Sequence, residues 1–272
     1  MYSLNLAKKV LKAAIPGLRL PGARRLDNQH ADVIDRYLEA LPLTNKFCVD
    51  IGASDGVTMS NSLRLFTRGW SGLAVECDPA AFQRLTSVHS ERDRVHLCKE
   101  LVTPPTVVPL LQSHQVPKDF AFLTLDIDGY DHFVLEQILA DYRPSLICTE
   151  VNEKIPPPLK FTVRWHPGYT WRQDHFYGQS IEQAAGLAGR HGYSLVELYY
   201  NNALFIPEEI STFPALTAIE AYRLGYVTKP DRASRFPWNS DMDDLLQMDP
   251  EEAVADLNRR FAERRGEYEL QL

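Results

Sequence analysis

Seven consecutive residues, Asp126-Ile127-Asp128-Gly129-Tyr130-Asp131-His132, carry three acids and a histidine. Carboxylates crowded this closely raise one another's pKa unless a cation offsets their repulsion. The block follows Phe120–Leu125, an apolar run that reads as a strand buried on both faces. It therefore falls at a strand's carboxyl end, where open parallel sheets place their ligands. A second polar end, Glu150-Val151-Asn152-Glu153, follows the apolar run Ser145–Thr149. Adjacent strands lie ~4.8 Å apart, so Asp126 and Glu150 are expected to face one another across the mouth, with Asn152 adding a neutral oxygen. Such an oxygen set suits a hard divalent cation, Mg2+ or Mn2+, more than zinc, because histidine and cysteine are absent from those positions. The competing reading leaves Asp126 on an organic cofactor alone, with Asp128 and Glu150 capping helices and turns. Asp128 and His132 are the candidate catalytic bases, with His166 and His175 in reserve.

Upstream, Phe47-Cys48-Val49-Asp50-Ile51-Gly52-Ala53-Ser54-Asp55-Gly56 is an apolar run that breaks into a glycine turn. Glycine lets the backbone turn tightly and approach a ligand. A pyrophosphate site wants bare N–H groups and positive potential, whereas the acids Asp50 and Asp55 suit a cationic ligand such as S-adenosylmethionine (SAM). Trp70–Val75 reads as the next buried strand and ends in Glu76, about 20 residues on, where Rossmann-like sheets place a ribose-binding carboxylate. Asn61 opens the intervening helix, close to the cofactor or as an ordinary cap.

This order of elements resembles the class I SAM-dependent methyltransferases. Asp50–Gly56, Asn61-Ser62, Arg68-Gly69-Trp70-Ser71-Gly72, Glu76-Cys77-Asp78-Pro79 and Leu125–Asp131 together resemble the FkbM-type branch, over roughly residues 45–210. The resemblance implies cofactor contacts from Asp50, Gly52, Ala53, Ser54, Asp55, Gly56, Asn61, Glu76 and Asp126, with the adenine in the region of Lys99 and Glu100. The acid pair is also similar to that of cation-dependent O-methyltransferases of antibiotic sugars, in which acids after strands four and five hold magnesium against two substrate oxygens. Glu150-Val151-Asn152 departs from the paired aspartates of that group. The implied activity is methyl transfer to a hydroxyl of a sugar, glycan or glycosylated metabolite. A nucleotide-cofactor oxidoreductase and a non-catalytic SAM-fold assembly protein are the rivals. No G-x-G-x-x-G follows the first strand, which disfavours the former.

At 272 residues and 24% charged, the chain is long enough for one α/β domain with appendages. A net charge of −7 argues against nucleic acid as a partner. Cys48, Cys77, Cys98 and Cys148 sit in or beside apolar runs, far from zinc spacing, and read as buried reduced thiols of a cytoplasmic protein. Met1–Arg25 reads as a basic amphipathic helix broken at Pro16-Gly17, not as a signal peptide, and no stretch approaches the ~20 apolar residues of a membrane span.

The expected fold is α/β: a Rossmann-like, doubly wound, mostly parallel sheet ordered 3-2-1-4-5, with an antiparallel C-terminal edge hairpin. Residues 1–44 form a helical arm, 45–210 the methyltransferase domain and 211–272 a helical extension. Helices are expected over Asp27–Leu41, Ser60–Thr67, Pro79–His89, Phe133–Ala140, Ser180–His191 and Ala218–Leu224, with a third strand at Val95–Cys98. The hairpin is Ser194–Tyr199 with Ala203–Ile206. Thr103–Gln115 and Lys229–Ser240 read as connecting segments, and the aromatic stretch after Pro156-Pro157-Pro158 as a lid or binding surface. Glu251–Glu267 reads as one charged helix whose stripe Ala253, Val254, Leu257 and Phe261 packs on a neighbouring subunit, giving a homodimer.

Overall fold

The computed structural model describes residues 23–272, with side chains from His30 onward, so the basic segment expected over Met1–Arg25 lies almost wholly outside the described residues. Helix α1 (Ala23–Ala40) buries Ile34, Tyr37 and Leu38, a helical spacing that turns one stripe inward. The chain then alternates: β1 (Phe47–Ile51), α2 (Leu63–Thr67), β2 (Ser71–Val75), α3 (Pro79–His89), β3 (Val95–Cys98), α4 (Pro104–Ser113), β4 (Phe122–Leu125), α5 (Asp131–Asp141), β5 (Leu146–Glu150). After β6 (Lys160–Val163) come α6 (Ile181–Arg190), β7 (Tyr193–Tyr199) and β8 (Asn202–Pro207).

The main sheet has the order β3-β2-β1-β4-β5-β8-β7. Strands β1 to β5 run parallel, and β8 lies antiparallel between β5 and β7. This is the expected Rossmann-like α/β sheet with its reversed C-terminal hairpin. The central strands are buried along nearly their whole length because helices cover both faces, which is why each is a continuous apolar run. The parallel strands all end at one rim, and the sequence reverses direction there between β1 and β4.

Two segments differ from the sequence reading. Thr103–Gln115 is not a mere connection but holds α4, whose Val107, Leu110 and Leu111 are buried. Pro104 occupies the first turn, where no N–H is needed, and Thr103 and Thr106 close the start reciprocally. The prolines masked the periodicity. Lys229–Ser240, expected as loop, contains a short helix α8 (Arg232–Arg235) and a 3-10 turn (Pro237–Asn239). It follows α7 (Ala218–Tyr222), which runs into a π turn at Arg223–Val227.

The C-terminal helix is also shorter than expected. Helix α9 (Pro250–Arg260) gives way to a 3-10 turn and then to β9 (Tyr268–Gln271), antiparallel to β6. Ala253, Leu257 and Phe261 are buried against Ile155, Leu159, Phe161, Val163 and Phe176 of the same chain, forming a second small core. The apolar stripe expected on a neighbouring subunit is thus satisfied internally, and the homodimer loses that motive. Arg264, in the 3-10 turn beyond α9, points inward and is bonded to Asp174 and Glu267. Cys48 and Cys148 are buried, but Cys77 is exposed and Cys98 half-buried, contrary to the uniform burial expected. No helix among the described residues is long and apolar enough to cross a membrane.

Candidate functional site

The turn after β1 is tied to the end of β2. The amides of Gly52 and Ala53 both donate to the Val75 carbonyl at 3.0 Å, and the Ser54 amide donates to a Glu76 carboxylate oxygen at 2.8 Å. The Asp78 amide donates to the other Glu76 oxygen at 2.7 Å. Glu76 therefore braces the turn from below, and an ionised carboxylate keeps further acceptor positions for hydroxyls. Gly52 is required for a reason other than space for a cofactor. Its φ is 87°, and a Cβ there would lie 1.8 Å from the Asp126 carbonyl oxygen. Gly52→Val would break the β1–β4 approach itself.

The two turn acids play different parts. Asp55 folds back on its own loop, accepting from the Val57 and Thr58 amides at 3.0 and 2.7 Å and from the Thr58 hydroxyl at 2.8 Å. Asp50 is buried at the end of β1 and accepts from the Ser62 hydroxyl. Burial pushes its carboxyl up to about 7, with the charges of Asp126 and Glu76 adding to the rise and the Ser62 bond opposing it.

The acid block divides by direction. Leu125 and Thr149 are partners in the β4–β5 register, so Asp126 and Glu150 follow or close adjacent strands side by side. Asp128 adopts a left-handed backbone, φ 53°, which aspartate tolerates. One oxygen each of Asp126, Asp128 and Glu150 lies within 4.8 Å of the others. Glu150 is oriented by Asn201, whose amide donates to it at 2.7 Å. Asp131, by contrast, is buried and accepts from the Ile127 and Gly129 amides at 3.0 Å each, clamping the loop. Burial raises its carboxyl to about 6, against those two hydrogen bonds.

Asn152 is not in this convergence. Its amide donates to the carbonyls of His175 and Tyr177 at 2.9 and 3.0 Å, holding the long loop down, and Asp128 takes the third position instead. His132 is also placed elsewhere. Its ring is buried between α5 and α6, with Gln179 at 3.1 Å and Gln183 at 3.3 Å, and burial lowers its pKa. His175 pairs with Asp241. His166 lies edge-on to Tyr169, whose hydroxyl donates to the Asp128 carbonyl at 3.1 Å. Asn61 reaches the sheet rim, donating to Thr124 at 3.0 Å and approaching Cys148 Sγ at 3.6 Å.

His30 is the rim residue that sequence reasoning missed. It stacks on Tyr199 with ring centroids 4.9 Å apart, and its Nε2 is 4.0 Å from Cys148 Sγ. Burial pushes its pKa down to about 4, against a hydrogen bond with Asn61 and with help from Arg235. Nothing in the helical pattern of α1 separates His30 from a core histidine. Asn201 was legible only as a turn residue.

Three hard carboxylate oxygens at this separation fit a divalent cation. Ion–oxygen distances of about 2.0–2.6 Å put ligand oxygens within about 5 Å of each other.

No family model matches the chain, and no curated protein matches it. Several solved structures are similar in chain path. Magnesium protoporphyrin IX methyltransferase from Synechocystis PCC 6803 with bound SAM has a TM-score of 0.45 and 10% identity, covering 73% of this chain and 89% of that one. The N-terminal domain of EvdMO1 with bound SAH gives 0.45 and 14%, covering 74% and 93%. A SAM-dependent methyltransferase from Aquifex aeolicus gives 0.40 and 11%, covering 73% and 94%. The first and third of these are named as methyltransferases, and the first and second hold SAM or SAH.

Proposed function

We propose that the chain is a SAM-dependent O-methyltransferase that methylates a hydroxyl of a sugar, glycan or glycosylated metabolite with the help of a divalent cation. The observation that carries this reading is the convergence of Asp126, Asp128 and Glu150 on the rim beside the Gly52–Gly56 turn. Glu76 would hold the ribose hydroxyls, and the turn amides with Asp50 and Asn61 the rest of the cofactor. SAM would supply the electrophilic methyl, and Asp126, Asp128 and Glu150 would hold a Mg2+ or Mn2+ whose charge would lower the pKa of an alcohol.

The chain's own task is to align and deprotonate. Asp126 and Glu150 fix the acceptor end of the site, and Asp128 takes the hydroxyl proton as the oxygen attacks, since an unperturbed alcohol is a poor nucleophile at neutral pH. Asn201 keeps Glu150 in place, and Tyr169 holds the Asp128 backbone. The test is calorimetry of the full chain with SAM, with NAD as control, alongside a metal assay of the purified protein. SAM binding with no NAD binding is expected. NAD binding with no SAM binding would replace this reading with an oxidoreductase.

A further inference from the structure

Four segments far apart in the chain meet at a groove that the methyl-transfer site does not use. Pro104 opens α4, Phe133 and Gln137 stand one turn apart on α5, Arg164 and Trp165 follow β6, and Glu269 lies on β9. Together they line a cavity of about 280 Å³. Small-molecule pockets usually span about 300–1,000 Å³, so this one suits a ligand of a single ring. None of the six residues belongs to the glycine turn or to the acid cluster. The groove is therefore a second place for a ligand.

Its walls are fixed and its rim is polar. Phe133 and Trp165 are half-buried and pack against the main core, so their rings are held in place without a ligand. The Arg164 amide donates to the Glu267 carbonyl at 2.7 Å, and its Nε donates to a Glu269 carboxylate oxygen at 3.3 Å. The two side chains are 51% and 43% exposed, so the pair is open to a ligand, and Gln137 is exposed beside it. Arg164 and Glu269 cancel in charge, so neither a phosphate nor a metal ion gains a Coulombic advantage, and one carboxylate is too few for a divalent cation. Arginine has five N–H donors and an ionised carboxylate about four acceptor positions, so a pair joined through Nε leaves both kinds available. Gln137 adds a donor and an acceptor. Hydroxyl groups, which donate and accept at once, match such a rim. The apolar surfaces of Trp165, Phe133 and Pro104 match the C–H face of a pyranose, because an aromatic face carries partial negative charge.

We propose that this groove binds one neutral sugar residue, stacked on Trp165 and hydrogen-bonded by Arg164, Glu269 and Gln137. The groove would hold its sugar whether or not the chain transfers methyl groups.

The experiment titrates the full chain with methyl β-D-glucoside, methyl β-D-galactoside, inorganic phosphate and adenosine, following the indole N–H resonances of the four tryptophans and the heats of binding. Trp165→Ala assigns the Trp165 signal by removing it. Saturable movement of that signal by at least one glycoside, and none by phosphate, is expected. Trp165→Ala should weaken glycoside binding by about five- to tenfold, and Gln137→Ala by about threefold. Gln137 is exposed, so its variant decides the matter if Trp165→Ala does not fold. Glu269→Gln should weaken the glycoside by about threefold and admit phosphate, because Arg164 loses its counter-charge. Failure of both glycosides to move the Trp165 signal, or equal binding by wild type and the folded variants, would overturn the site. Movement by adenosine alone would overturn it as well and make the groove part of a nucleoside site. A glycoside response without SAM binding in the same preparation would remove only the methyl-transfer reading and leave the groove standing.

Discussion

Glu150 and Glu153 lie at the end of the same strand and belong to different kinds of site. Glu153 is closed off: it accepts from the Tyr177 hydroxyl at 2.9 Å and from Asn239 at 2.6 Å, and Lys154 Nζ is 3.5 Å away. Burial alone would push its carboxyl up, but the Lys154 charge and these bonds hold it below the usual range. Lys154 in turn donates to the Tyr177 hydroxyl at 2.8 Å and is also buried. Glu150 converges instead with two other acids at the rim. A buried acid with its own cation and donors staples the C-terminal segment, through Asn239, to the sheet. Glu150, oriented by Asn201, shares the rim with Asp126 and Asp128 instead of being enclosed in a core network.

The comparison breaks most visibly at the buried network. Lys154→Met should cost about 3–5 kcal/mol, because it leaves the Glu153 charge buried without its cation. Urea unfolding measures this loss, while turnover per folded molecule should fall far less. A stable Lys154→Met protein that has lost activity would put Lys154 in the site and dissolve the distinction.

Asp126→Asn and Glu150→Gln test the other side. Each should lower methyl transfer by about 10²–10³, the scale of removing one electrostatic transition-state contact. Melting temperature should change little, since each amide keeps the shape of the carboxylate it replaces. Chelation of the wild type should reproduce the loss with SAM binding intact. Full turnover after chelation would mean that the carboxylates serve without metal.

Glu76→Gln sharpens the boundary between scaffold and site. It should weaken SAM binding by about 1.5–3 kcal/mol, the range for a hydrogen bond to a charged group, as read by calorimetry. If affinity is unchanged and only stability drops, Glu76 is a turn brace like Asp131.

The smallest effect is a pH slope. Asp50 has its folded-state pKa raised to about 7, above its ordinary carboxylate value. Between those values the folded state binds more protons than the unfolded state, so stability falls as pH rises through that window. Asp50→Asn should flatten the fall, gaining on the order of 1 kcal/mol relative to wild type at pH 7 compared with pH 5. Denaturant midpoints at the two pH values measure it, and parallel profiles would show that Asp50 stays ionised in the fold.

The sequence by itself determined the five parallel strands and the hairpin after them. A strand covered on both faces must be a continuous apolar run, and Phe47–Ile51, Ser71–Val75 and Phe122–Leu125 are such runs. It also located the glycine turn, though the clash that makes Gly52 necessary comes from the Asp126 carbonyl on the neighbouring strand. Only the tertiary structure decided which polar residues meet. Asp128 and Asp131 are the same residue type in one short loop, yet one joins Asp126 and Glu150 while the other clamps the loop from inside. Asn152 and Glu150 were equal candidates at one strand end until Asn152 was taken by carbonyls more than 20 residues downstream. Arg235, His30 and Tyr199 come together from three distant segments with no shared period. A side chain's direction depends on its own backbone dihedral and on partners brought by long-range packing, and neither is written in residue type or spacing.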